Sequence, residues 1–162
     1  LTMDLGSADN VVSLNFHYDT EQPVDVEGAV FVQGTGVTLP VTWKSMLPMP
    51  TRLPLVWKQA KALRTTKVRG LTDKTYFEAL TKVQQNVRRN LDAVRATGEV
   101  DTIRYGKVLQ PGKLVGVRGA GLSYDGYYYV TKVSHHIEKG RYVQRFQMRR
   151  EGHYPLIPWV YP

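Results

Sequence analysis

The chain has 162 residues, with 22 Lys and Arg against 14 Asp and Glu, a net charge of +8 and no cysteine. That length can bury a core unaided, so one domain, with or without an appended arm, is expected. The missing cysteines exclude disulfides and thiolate metal sites.

No run approaches the ~18 consecutive apolar residues of a membrane-spanning helix. Leu1-Thr2-Met3-Asp4 lacks a basic stretch before an apolar one, so no signal peptide is expected. The charge is unevenly placed. Residues 1–50 hold Lys44 against Asp4, Asp9, Asp19, Glu21, Asp25 and Glu27, a balance of −5, which leaves +13 for the rest. Such asymmetry fits an acidic partner, either nucleic acid or an acidic protein surface; a basic surface that serves only solubility is the plain alternative.

Val11 to Tyr18 alternates, with Val12, Leu14, Phe16 and Tyr18 on one side, and reads as a strand with one drier face. Asp25 to Gln33 is a second strand, Gly34-Thr35-Gly36 a turn, and Val37 to Trp43 a returning strand that Pro40 assigns to an edge. Across 45–70, Pro48, Pro50 and Pro54 break any ladder among Met46, Leu47, Met49, Leu53, Leu55, Val56 and Trp57, and Lys58, Lys61, Arg64, Lys67 and Arg69 follow. This is an arm that packs on a neighbour, or a loop draped over the chain's own core.

From about Thr72 to Thr97, Tyr76, Leu80, Val83, Val87, Leu91 and Val94 recur every three or four residues and predict one long amphipathic helix. Thr72 is one candidate N-cap, and Thr75 with Glu78 offers a capping box as the other. Gly98 stops the helix. The opposite face, with Lys82, Arg88, Arg89 and Arg95, is solvated or binds a partner.

Everything after the helix reads as β: Glu99 to Tyr105, then Val108 to Val117 interrupted at Pro111-Gly112. Next comes a hairpin of Tyr127 to Glu138 and Arg141 to Arg149 turned at Lys139-Gly140. Gly119-Ala120-Gly121 permits a sharp backbone, and Asp125-Gly126 marks a tight turn.

Catalytic chemistry finds no support. Gly116, Gly119, Gly121 and Gly126 do not have nucleotide-binding spacing and precede a strand, not a helix. His135 and His136 are adjacent in a strand and point to opposite faces, one packed and one exposed, so one metal does not take both; His17 and His153 are remote in sequence. No acid pair suits glycosidase work, and Ser123, Asp125 and His135 lack a nucleophile elbow. Neither enzyme activity nor a cofactor is expected, and a cell-wall hydrolase is the least supported reading.

The hairpin is more informative. Arg141, Arg145 and Arg149 share one face with Val143 and Gln147, while Tyr142, Gln144, Phe146 and Met148 share the other. A period-two basic ladder repels itself and needs water or an acidic neighbour. With Tyr127, Tyr128 and Tyr129 on the paired strand, basic and aromatic side chains together also match a single-strand nucleic-acid platform. The plain alternative is a sheet with one core face and one wet face.

Three runs carry a family resemblance: Arg104-Tyr105-Gly106-Lys107-Val108-Leu109, Leu114 through Val130 with its turn at Gly119, Gly121, Asp125 and Gly126, and Val133-Ser134-His135 followed by Gln144-Arg145-Phe146 and Arg150-Glu151-Gly152. Together they resemble the C-terminal part of phage late control protein D and the VgrG-like baseplate hubs of contractile injection systems. Asn10 through Asp19 resembles the start of a hub domain, and the likeness is weakest over 34–70.

The resemblance implies a mainly β (α+β) fold, an antiparallel tube-like β-barrel of hub type with one long flanking amphipathic helix. It implies a single hub domain over 1–162 and further chain ahead of it. The implied role is structural: a homotrimer that joins a hexameric tube to a trimeric spike, with spike, tube and other baseplate proteins as partners. The implied location is a phage tail baseplate or injection particle assembled in the bacterial cytoplasm. Arg141, Arg145 and Arg149 would then face the channel or acids of a neighbouring subunit. A basic β-barrel module binding nucleic acid is the alternative.

Overall fold

The computed structural model describes residues 1–32, 36–44, 53–57, 61–71 and 74–157, apart from the Arg89 side chain. The fold is mainly β, with eight strands, two α-helices and a 3-10 turn at Gly6–Ala8 among these residues. Its contacts separate into two compact units. One comprises Leu1–Asp19, Pro54–Lys58 and Val94–Pro162; the other comprises Thr20–Leu53 and Gln59–Ala93.

In the first unit β1 (Val11–Tyr18), β5 (Val94–Asp101), β6 (Leu114–Val117), β7 (Gly126–Glu138) and β8 (Arg141–Arg150) form one curled antiparallel sheet in the order β1-β5-β8-β7-β6. Alternation assigns its faces. Val94, Ala96 and Val100 of β5 lie opposite Arg150, Met148 and Gln144 of β8, and all six are buried. Tyr128 and Val130 of β7, Val115 and Val117 of β6, and half-buried Leu14 and Phe16 of β1 complete this core. Full burial of one such Val, Phe or Met side chain contributes about 1.5–3 kcal/mol. A bulge between Val11 and Ser13 shifts the β1 alternation, so Val11 packs on the core and Val12 is exposed.

In the second unit β2 (Asp25–Val32) is flanked by antiparallel β3 (Val37–Trp43) and parallel β4 (Thr65–Lys67). β3 is an edge strand, the place where Pro40 has no ladder bond to lose. Helix α1 (Tyr76–Asn90) packs on this sheet and buries Ala79, Val83, Val87 and Leu91 against Val26, Val30 and Val41. Its N-terminus is held by the capping box: the Thr75 hydroxyl accepts from Glu78 N–H, and the Glu78 carboxylate accepts from Thr75 N–H.

Several expectations are corrected. The helix has 15 residues and ends at Asn90; Val94 to Gly98 belong to β5. Val94 fits the helical stripe, but Val94, Ala96 and Val100 together fit only period two. A strand here gains ladder partners on both sides, β1 and β8, whereas a longer helix gains one bond per residue. Thr102–Tyr105 is not strand but a short helix, α2, because the Asp101 carboxylate accepts from Ile103 and Arg104 N–H and caps it. Between Val108 and Val117 only β6 is strand.

The proposed N-cap Thr72, most of the turn at 34–36, and arm residues 45–52 and 58–60 lie outside the described residues. Leu55 and Val56 of that arm are buried: Leu55 N–H donates to the Glu151 carboxylate, and Val56 pairs with Pro155. This much of the arm lies along the chain's own first unit.

Candidate functional site

The side of the five-stranded sheet away from its core carries the predicted basic ladder. The β5–β8 register sets Arg95 opposite Arg149, Thr97 opposite Gln147, and Glu99 opposite Arg145. β1 adds Ser13, Asn15 and His17, and β7 adds Lys132, Ser134 and His136. A polar depression of about 360 Å3 lies at the centre of this face, between Asn15, Thr97, Glu99, Lys132, Ser134 and Arg145.

Arg141, Arg145 and Arg149 do share this face, as alternation requires. The acid that such a ladder needs is supplied in part by the same chain. The Glu99 carboxylate accepts from Arg145 at 2.9 Å and from Arg141 at 3.3 Å, and its side chain is only 14% exposed. The Arg145 hydrogen bond holds the Glu99 carboxyl below the usual carboxylate range, with the charges of Arg145, Arg141 and His136 adding to it. Arg95, opposite half-buried Arg149, lies 3.9 Å from Asp19. Glu99 was not singled out from sequence, because only the β5–β8 register brings it beneath the two arginines.

The signature turn lies between β6 and β7 and is a piece of backbone engineering. Gly119 adopts φ +87°, and a Cβ there would fall 1.7 Å from the Met3 carbonyl oxygen, where Thr2 bridges to Arg118. Gly126, at φ +106°, lies against the Pro155 ring, 2.5 Å from where a Cβ would be. Gly121 O accepts from Tyr124 and Asp125 N–H, and the Asp125 carboxylate accepts from Ala120 N–H at 2.7 Å.

Arg150 fastens this turn to β8. Fully buried, it donates to the carbonyls of Gly152 (2.8 Å), Asp125 (2.7 Å) and Ser123 (2.6 Å), and its guanidinium lies 4.4 Å from the Tyr128 ring centre. The Tyr128 hydroxyl donates to Tyr124 O. Gln144, also fully buried, donates to Thr102 Oγ1 and Lys107 O and accepts from Leu109 N–H. The signal for both was available: a charged and an amide side chain fall in phase with Phe146 and Met148, where a core residue is due.

The histidines do not come together as a site. Both His135 and His136 are exposed, contrary to the expectation that one packs; His135 Nδ1 lies 3.0 Å from the Tyr142 hydroxyl. His153 packs instead against Tyr18, tilted at 4.2 Å between ring centres, and edge-on against Tyr124 at 5.2 Å. Burial pushes its pKa down, and the nearby Arg150 charge adds to that.

No protein-family model matches the chain, and no curated protein matches it. Solved structures do. The tail protein from Neisseria meningitidis MC58 superimposes with a TM-score of 0.56 at 17% identity, over 95% of this chain and 44% of that one. This chain shares its fold with that tail protein. The 43 kDa tail protein of prophage MuSo2 from Shewanella oneidensis gives a TM-score of 0.51 at 15% identity, over 93% of this chain and 41% of that one. The chain thus spans less than half the length of either tail protein, and at these identities the likeness is one of fold.

Proposed function

We propose that this chain is a structural component of a phage tail or related virion particle, and within that class part of a baseplate hub akin to late control protein D and VgrG. In that role it joins a hexameric tube to a trimeric spike as a homotrimer, works without catalysis, and resides in the baseplate or injection particle. The observation that carries the reading is the fold likeness to a tail protein over 95% of the chain. The turn at 119–126 agrees with it: buried Arg150 holds its backbone through the carbonyls of Ser123 and Asp125, an arrangement that serves structure.

The test is the absolute mass in solution by light scattering, at low and high salt. A trimer is the expected result; a monomer at every protein concentration overturns the homotrimeric hub.

The nucleic-acid reading is weakened by Glu99, which neutralises part of the ladder before any phosphate arrives. Oligonucleotide retention whose salt dependence corresponds to several phosphate contacts would restore it.

A further inference from the structure

Residues 152–157 follow β8 and turn back along the first unit. Leu156 N–H donates to Leu55 O at 2.9 Å and Trp57 N–H donates to Tyr154 O at 3.2 Å, so the segment forms a two-stranded ribbon with residues 55–57, centred on the Val56–Pro155 pair. Pro155 closes on Gly126, and Arg150 Nε holds Gly152 O. One residue of the segment works against this arrangement. Tyr154 has φ +57°, a left-handed conformation disfavoured for a bulky side chain, and is 68% exposed. A strained residue that buries so little persists only because its neighbours hold it.

His153 is the neighbour placed to do so. Its ring packs against Tyr18 of β1 and Tyr124 of the signature turn, and the Tyr154 ring follows edge-on at 6.4 Å. Its Nδ1 is buried with no hydrogen-bond partner among the described residues. A neutral imidazole tolerates this, because one of its nitrogens needs no acceptor. The imidazolium carries a hydrogen on both nitrogens, so its Nδ1–H would be buried without an acceptor, which is costly.

We propose that His153 makes residues 152–157 an acid-released clip: protonation of its ring detaches this segment from the 55–57 strap while the five-stranded sheet stays folded.

The groups around the ring fit that direction. From the end of β8, the Arg150 guanidinium, fixed by three carbonyls, brings a positive charge beside it. Each carboxylate of the adjoining elements is already engaged: Glu151 by Leu55 N–H, Asp125 of the turn by Ala120 N–H, and Asp19, next to Tyr18, by Arg95 at 3.9 Å. The strap residues Leu55, Val56 and Trp57 carry no titratable side chain. The Ser123 carbonyl and the tyrosine faces favour a cation. Burial first and Arg150 second outweigh them and hold the His153 pKa below the ordinary histidine value. The open form therefore takes the proton first. The ring's contribution to the closed clip is complete above about pH 6.5, declines as pH falls through that value, and levels off below the folded pKa.

Hydrogen exchange tests this on the intact chain. The N–H groups of Trp57 and Leu156 report the clip, and those of the β5–β8 ladder report the sheet. Trp57 and Leu156 are expected to be less protected than the ladder at every pH and almost insensitive to dilute urea, since opening the clip exposes little surface. Between pH 8 and 5, after correction for the intrinsic exchange rate, their protection is expected to fall severalfold. His153→Phe keeps a ring between Tyr18 and Tyr124 but removes the proton site, so it should abolish most of that fall. If this variant does not fold, NMR titration of His153 in the unaltered chain takes its place, and the loss of protection must follow protonation of the ring. Protection that holds while His153 titrates overturns the clip. So does a fall that persists in folded His153→Phe, or exchange at Trp57 and Leu156 with the same protection and urea dependence as the ladder.

Discussion

A few buried polar side chains do most of the specifying at the scale of single residues. Arg150 satisfies three carbonyls of the turn and its own strand end, so its removal leaves buried acceptors without donors. Arg150→Met should cost about 3 kcal/mol in urea unfolding, since losing one side of a buried charged network is expensive. Tyr128→Phe deletes only the bond to Tyr124 O and should cost about 1 kcal/mol by the same measurement. His153 gives a pH dependence with a definite sign. Its pKa is lowered in the folded state, so the unfolded chain takes the proton first. Stability should fall as pH drops below the ordinary histidine value of about 6.5, levelling off below the folded pKa. Unfolding midpoints between pH 8 and 5 check this, and His153→Phe should flatten that slope.

The elements show how local and long-range preferences divide the chain. Helix α1 begins where its capping box says, and Thr75→Ala should cost about 1 kcal/mol in thermal or urea unfolding. It ends four residues before the apolar stripe does, since Val94 is worth more between β1 and β8. Glu99 belongs to this scale because it exists as a partner only through strand register. Its carboxyl is held low by Arg145, so its contribution is complete above its unfolded pKa and is lost as pH falls through the folded one. Because both arginines are exposed, Glu99→Gln should change stability by less than about 1 kcal/mol. It should nonetheless raise oligonucleotide retention at low salt, by releasing the charges that Glu99 now balances.

For the whole molecule, the fold shared with two tail proteins is what supports the proposed structural role. The net charge of +8 then bears on partners rather than on folding. If opposite charges bring subunits together, the mass in solution should fall with added salt, and light scattering across a salt series reads it directly.

Sequence alone determined what depends on neighbours along the chain. The period-two strand β1, the strands β2 and β3, the β7–β8 hairpin with its Lys139-Gly140 turn, the edge position of Pro40 and the common face of Arg141, Arg145 and Arg149 all follow from local geometry, and the Thr75–Glu78 capping box is one of two caps that local sequence offers. Only the tertiary structure decided what depends on distant partners. It placed Val94 to Gly98 in a strand, paired Glu99 with the arginines, exposed both His135 and His136, and buried Arg150 and Gln144 as clamps on loops remote in sequence. The division has one physical cause. Alternation and capping are fixed within a few residues by backbone sterics. Register and burial are fixed by which strand lies alongside, and the free energy of that choice is shared among residues far apart in the chain.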